Sequence, residues 1–165
     1  MVEIEAARRG NPGLAELEPG DEESVGRFYE RLSPESLYRR FFSPVTRREQ
    51  FVRQVLRVDG HERAAVAAVE EGELVGVAQY SRRPGASSAD LAIVVADAWQ
   101  RQGLGTRLVA ALADRAAQTG IERFDVDVQG DNRGVQRLLR RVAPEMRLRF
   151  SAGVGEGSFA IEAHR

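Results

Sequence analysis

Cysteine and lysine are both missing from this 165-residue chain. Without cysteine there is no disulfide, no thiolate nucleophile and no Cys-ligated metal. Without lysine a P-loop, a Schiff base and a lysine general base are all excluded. Every one of the 24 basic residues is arginine, a bias read here as base composition of the coding sequence. Histidine is scarce, with only His61 and His164, so a His-built metal cluster is not expected and no metal site is assigned. No apolar run approaches the roughly 20 residues that span a bilayer, and the acidic N-terminus lacks the layout of a secretory signal. A cytoplasmic protein with no membrane association is therefore expected. Against 25 acidic residues the 24 arginines leave a net charge of −1, so nothing draws the chain as a whole to nucleic acid.

The length suits one domain around one core. Residues 1–13 read as an N-terminal arm or short strand, rich in turn residues at Arg8, Arg9, Gly10, Asn11, Pro12 and Gly13, and residues 14–165 as the domain. Leu14 to Leu17 alternates as a first strand. Asp21 can cap a helix over Asp21 to Arg31, with Val25, Phe28, Tyr29 and Leu32 on one face. Ser33-Pro34 starts a second helix that gathers Leu37, Tyr38, Phe41 and Phe42 as core and ends at Ser43-Pro44; Thr46 can cap a third. Arg39, Arg40, Arg47 and Arg48 read as a solvated face that an acidic partner could meet.

From Arg63 the period changes. Ala64 to Val69 and Leu74 to Tyr80, joined by Glu70-Glu71-Gly72-Glu73, form a hairpin; Arg82 to Ser88 is a surface loop. Leu91 to Val95 is a strand, followed by a polar loop holding Gly103 and Gly105, then a helix carrying Leu104, Leu108 and Leu112 on one face. Arg123 to Val128 is the next strand. Asp131-Asn132 caps a helix bearing Val135, Leu138, Leu139 and Val142, and two weak strands, Leu148 to Ala152 and Gly157 to Ile161, follow through a Gly-rich turn. The order predicts an α/β sandwich with a mostly antiparallel N-terminal half and a βαβ crossover around the glycines.

Two glycines and a threonine at a helix start aim several N–H groups into one space, and the helix dipole favours an anion there. A Rossmann loop would need a third glycine where Leu108 stands, and a Walker loop would need lysine. The spacing Gln100-x-x-Gly103-x-Gly105, after an apolar strand and opening an amphipathic helix, resembles the motif of the GCN5-related N-acetyltransferase (GNAT) superfamily. The resemblance runs from Leu14 to Ile161. Leu32 to Phe42 together with Ala89 to Val95 looks like the catalytic domain of the bacterial Pat-type protein lysine acetyltransferases.

That resemblance implies an α/β (α+β) fold, a single domain with a mixed six- to seven-stranded sheet flanked by helices around a central βα unit that binds acetyl-CoA. It implies a pyrophosphate on the amides of Gly103, Leu104, Gly105 and Thr106, flanked by Gln100, Arg101 and Gln102, and pantetheine laid against Ile93, Val94 and Val95. Asn132 matches an asparagine that approaches the pantetheine; a plain helix cap is the alternative.

Amide formation requires a deprotonated amine and a stabilised oxyanion. The amides of Val94 or Val95 can serve the oxyanion. Asp90 stands where Pat-type domains carry a glutamate base, one methylene shorter, and the competing reading is an exposed strand-edge carboxylate. The superfamily's frequent tyrosine acid is replaced by Leu139, as it is absent in Pat-type domains, with Tyr80 a weaker substitute; Trp99 reads as packing. The implied activity is direct acetyl transfer from acetyl-CoA to an amine, a protein lysine on the Pat-type likeness. A small-molecule amine, or a CoA-binding sensor that has lost turnover, are the alternatives, and the oligomeric state is left open.

Overall fold

The computed structural model describes residues 1–8, 10–43 and 46–162. In chain order its elements are β1 (Val2–Glu5), β2 (Gly13–Glu16), α1 (Glu22–Glu30), α2 (Pro34–Phe41), α3 (Arg48–Val55), β3 (Arg63–Glu70), β4 (Glu73–Ser81), β5 (Ser88–Val95), a 3-10 turn (Asp97–Trp99), α4 (Leu104–Ala117), β6 (Arg123–Gln129), α5 (Arg133–Val142), β7 (Arg149–Ser151) and β8 (Val154–Ala160). The strands make one eight-stranded sheet in the order β1-β2-β3-β4-β5-β6-β8-β7. Only β5 and β6 run parallel, joined through α4 as the crossover rule requires. The strand beyond the expected count is β1, which pairs antiparallel with β2 at the sheet edge and so recruits the N-terminal arm.

Helices cover both faces. Along β3 the side chains alternate between two cores: Ala64, Val66 and Ala68 meet α4, whereas Ala65 and Ala67 meet α1 and α3. This is why β3 reads as a continuous apolar run. On one side α4 buries Leu104, Leu108, Val109 and Leu112, each contributing about 1.5 to 3 kcal/mol. Gly76 of β4 lets α4 approach, since a Cβ there would lie 3.0 Å from Leu108 Cδ1. On the other side Phe28 and Phe41 pack against Phe51, Phe41 edge-to-face, with Phe28 and Phe51 ring centroids 6.0 Å apart.

Local chemistry sets most element ends. The β3–β4 turn holds Glu71 at φ 50° and Gly72 at φ 78°, the pair of positive angles that matches strand twist in a two-residue hairpin. Ser33 accepts the Ser36 N–H at 3.1 Å, capping α2 as its sequence predicts. Other expectations change. The Asp21 carboxylate caps nothing; its Oδ2 accepts the Glu18 N–H at 2.8 Å because the preceding turn folds back onto it. The cap of α3 is Arg47 rather than Thr46, and Gln50 Oε1 accepts the Arg47 N–H at 3.2 Å. The second helix ends with Phe42 at φ 55°; Pro44, expected to break it, lies outside the described residues, as do Arg9 and His164.

Leu37 and Phe41 join the core, but Tyr38 and Phe42 are exposed, since so short a helix presents only one face to the sheet. The last hairpin turns on Ala152 and Gly153, both at positive φ, so the Gly-rich stretch belongs to β8 itself. The expected surface loop runs from Arg82 to Ser87 with Arg83, Pro84 and Gly85 exposed, but the Arg82 side chain turns inward. It is 6% exposed, donating to Glu62 Oε2 at 2.9 Å and the Thr119 carbonyl at 2.7 Å. No helix among the described residues is long and apolar enough to cross a membrane.

Candidate active site

The sheet is split at its middle. Pairing of β5 with β4 continues from Asp90 to Val95, whereas pairing with β6 covers only Ser88, Ala89 and Asp90. Beyond Asp90 the two parallel strands diverge while β6 stays paired with β8. The phase of the β4–β5 ladder is fixed by the Ala96 N–H, which donates to the Val75 carbonyl at 2.9 Å. Main-chain groups alternate in direction along an antiparallel strand, so Val94 faces β4, while Ile93 and Val95 face the gap. Of the two amides expected to meet an oxyanion, the register therefore leaves that of Val95, with Ile93 beside it. The Val95 carbonyl already accepts a bond from Gln100 Nε2 at 3.0 Å.

Two cavities meet along this gap. The first, about 240 Å³, is lined by Ile93, Val94 and Val95, the loop residues Gln100, Arg101, Gly103, Leu104, Gly105 and Thr106, and Asn132, bringing most of the expected cofactor residues together. Gln102 is the exception: it stays off the cavity wall, its Nε2 donating to the Ala98 carbonyl at 3.0 Å. Gly103 is the N-cap of α4 at φ 80°, no side chain caps that end, and no acidic residue sits in the first turn. The amides at the helix start are thus free for a ligand, in the positive end of a 14-residue helix.

The charge of this cavity was not legible from the chain order. Arg39 and Arg40 from α2, Arg101 from the loop, and Arg137 and Arg141 from α5 line it, with no carboxylate among the lining residues. On a chain of net charge −1 that is a concentrated cationic pocket. The reading of Arg39 and Arg40 as a solvated face is corrected: α2 packs on β5 and turns them inward. A one-turn spacing of Arg137 and Arg141, on the helix that Asn132 opens, was the available signal for those two.

The second cavity, about 480 Å³, shares Arg39, Arg40, Ile93, Asn132, Val135 and Leu138 with the first and extends to Asp90, Asp125 and Asp127. Asp90 and Asp125 are register partners in the parallel pair, and Asp127 follows two residues on, so all three project from one sheet face. Asp90 is exposed within this cavity, in an interior strand rather than at a sheet edge. Its pKa is raised above the usual carboxylate range, by burial first and then by Asp125 and Asp127, with Arg83 opposing. Among the described residues no three His, Asp or Glu are grouped to hold a metal ion.

Asn132, 9% exposed, caps α5 by accepting the Val135 N–H at 3.2 Å; its remaining amide group lies where both cavities meet. Leu139 is buried beneath the second cavity. Tyr80 is removed as a candidate acid: it is 1% exposed, lines neither cavity, and donates its hydroxyl proton to the His61 carbonyl at 3.2 Å. Trp99 packs between the two cores and touches the first cavity. Ser36 was missed. Its hydroxyl donates to Asp97 Oδ1 at 2.8 Å and receives Gln100 Nε2 at 3.4 Å, tying α2 to the loop.

A sheet that parts beside a glycine-opened helix, with an arginine-lined pocket on one side of the gap and carboxylates on the other, is a split-sheet α/β architecture. The chain belongs to the acetyltransferase (GNAT) family, whose model matches residues 25–143. It is similar to acetyltransferase Pat of Mycolicibacterium smegmatis, 29% identical over 127 residues, which are 75% of this chain and 38% of that relative. The chain thus spans well under half the length of that curated relative. The GNAT domain of S. lividans PAT superposes with a TM-score of 0.83 at 26% identity, covering 96% of each chain. Spermidine N-acetyltransferase from Vibrio cholerae, solved in complex with CoA and spermine, has a TM-score of 0.67 at 14% identity over 90% of this chain and 94% of that one, a likeness of fold alone.

Proposed function

We propose that this chain is an acetyl-CoA-dependent N-acetyltransferase that passes acetyl directly to an amine, a lysine side chain of another protein. The observation that carries this reading is the meeting of the two cavities at the β5–β6 gap. One is cationic and ends on free helix amides, suited to the anionic half of CoA; the other presents Asp90. In this reading residues 103–106 hold the pyrophosphate, with Arg101 beside them. Pantetheine lies along Ile93 and Val95, whose main-chain groups have no strand partner on that side. Asn132, on the wall that both cavities share, would meet it there.

Asp90, as the carboxylate, accepts a proton from the incoming ammonium, directly or through a water that spans the methylene it lacks relative to glutamate. The freed amine attacks the thioester carbonyl; the N–C bond forms, the C–S bond breaks with its electron pair leaving on sulfur, and the nitrogen's second proton passes to the departing thiolate or to solvent. Val95 N–H is placed to bond the oxyanion. No side-chain acid is required for a thiolate leaving group, consistent with Leu139 and Tyr80 supplying none. The absence of cysteine favours a ternary complex over an acyl-enzyme.

The test is mass spectrometry of lysine peptides incubated with the protein and acetyl-CoA, with CoA release followed in parallel. Acetylated peptide and stoichiometric CoA are expected. Tight acetyl-CoA binding with no acceptor-dependent CoA release, across peptides and small amines, would replace this reading with a CoA-binding sensor.

A further inference from the structure

The second cavity has two poles of opposite charge. Asp90, Asp125 and Asp127 stand at the β5–β6 end, and Arg40 stands at the α2 end, where the two cavities join. The poles do not neutralise each other: the charges acting on Asp90 are Asp125, Asp127 and Arg83, not Arg40. Arg40 is partly buried against the Phe41 ring, 4.4 Å from its centroid, and no carboxylate among the described residues pairs with it. Burial lowers its pKa to about 10, so it keeps its charge at neutral pH. Arg39 differs, because Glu35 holds it at 2.8 Å.

A guanidinium drawn partly out of water without a counter-charge is costly, and an arriving anion relieves that cost. The cofactor's phosphates are assigned elsewhere. Arg101, Arg137, Arg141 and the helix amides line the first cavity alone, whereas Arg40 lines both, beside the stretch that would carry the uncharged pantetheine. Through the second cavity, Arg40 is open to an anion carried by the acceptor.

We infer that the second cavity selects an amine whose carrier also presents a carboxylate, the ammonium docking at Asp90, Asp125 and Asp127 and the carboxylate on Arg40. This rests on the acetyltransferase reading above and narrows its acceptor. Two sources share the chemistry: a glutamate or aspartate neighbouring the target lysine in a peptide, and a small amino acid.

The experiment compares matched acceptors on the wild-type protein: a lysine peptide with a neighbouring Glu against the same peptide with Gln, and free lysine against cadaverine, which lacks the carboxylate. A charge-assisted pair predicts a preference of about ten- to hundred-fold in kcat/KM for the carboxylate-bearing member of a pair. Preference within the peptide pair identifies the peptide source, and preference within the lysine–cadaverine pair the small-molecule source. R40Q should abolish the preference through the acceptor KM, with a smaller change in the acetyl-CoA KM because Arg40 lines both cavities, and R40K should restore part of it. Equal use of both members of both pairs overturns the inference while leaving acetyl transfer intact. So does R40Q raising the acetyl-CoA KM with acceptor discrimination preserved. No transfer to any acceptor, with acetyl-CoA still bound, defeats the underlying reading instead.

Discussion

Replacing Gly105 by alanine probes where the cofactor sits more sharply than any charge removal. Gly105 is the second residue of α4, in the narrow place between β5 and α5. A Cβ there would stand 3.1 Å from Leu138 Cδ2 and 3.5 Å from Ile93 Cδ1. These are ends of flexible side chains, so the fold can yield by a few tenths of an ångström. Alanine also favours the helical state over glycine by roughly 0.5 to 1 kcal/mol, so net stability should move by less than about 1 kcal/mol either way. Binding is different. The added methyl occupies the wall beside the free amides, and displacing the pyrophosphate from one of them forfeits a charge-assisted hydrogen bond of about 1.5 to 3 kcal/mol. That converts to about a ten- to hundred-fold rise in the acetyl-CoA Kd. Calorimetric titration of acetyl-CoA, with a thermal melt on the same preparation, measures both quantities. A Kd within about twofold of wild type, at unchanged stability, would refute the placement of the pyrophosphate on these amides.

Asp90 needs to be ionised to accept a proton, and its raised pKa sets the acid limb of kcat/KM above the usual carboxylate range. Removing the neighbouring negative charges by D125N and D127N lowers that pKa and moves the limb to lower pH, while R83Q moves it up; a limb indifferent to all three argues that another group titrates. R137Q and R141Q should weaken acetyl-CoA more than 3′-dephospho-acetyl-CoA if these arginines meet the 3′-phosphate, and an equal loss for both ligands would assign them to the pyrophosphate. R82M strands the Thr119 carbonyl and the Glu62 carboxylate that Arg82 now holds. Glu62 is partly exposed and water can reach it, so the loss should be about 1 to 3 kcal/mol, or roughly 3 to 10 °C in Tm, with acetyl-CoA affinity unchanged.

What the sequence determined by itself lies where one physical rule acts over a few residues. The β3–β4 hairpin is set by Glu71-Gly72, because only residues tolerant of positive φ close a two-residue turn there. The start of α4 at Gly103, the cap by Asn132 and the cap by Ser33 follow from local donors and acceptors, and the family motif lies within one such stretch. Where neighbours in space decide, the sequence was silent. The gap depends on β5 leaving β6 after Asp90, and which amides face it depends on register, a two-strand property. For that reason the Val94 amide faces β4 and that of Val95 the gap, whereas Tyr80 is taken out of play by burial in the core. Arg39 and Arg40 face the cavities because α2 packs on β5, and Arg82 is buried because Glu62 and Thr119 converge on it from other elements. An arginine's sequence neighbours record its charge and helical face; only tertiary packing decides whether that face meets water, a carboxylate or a substrate.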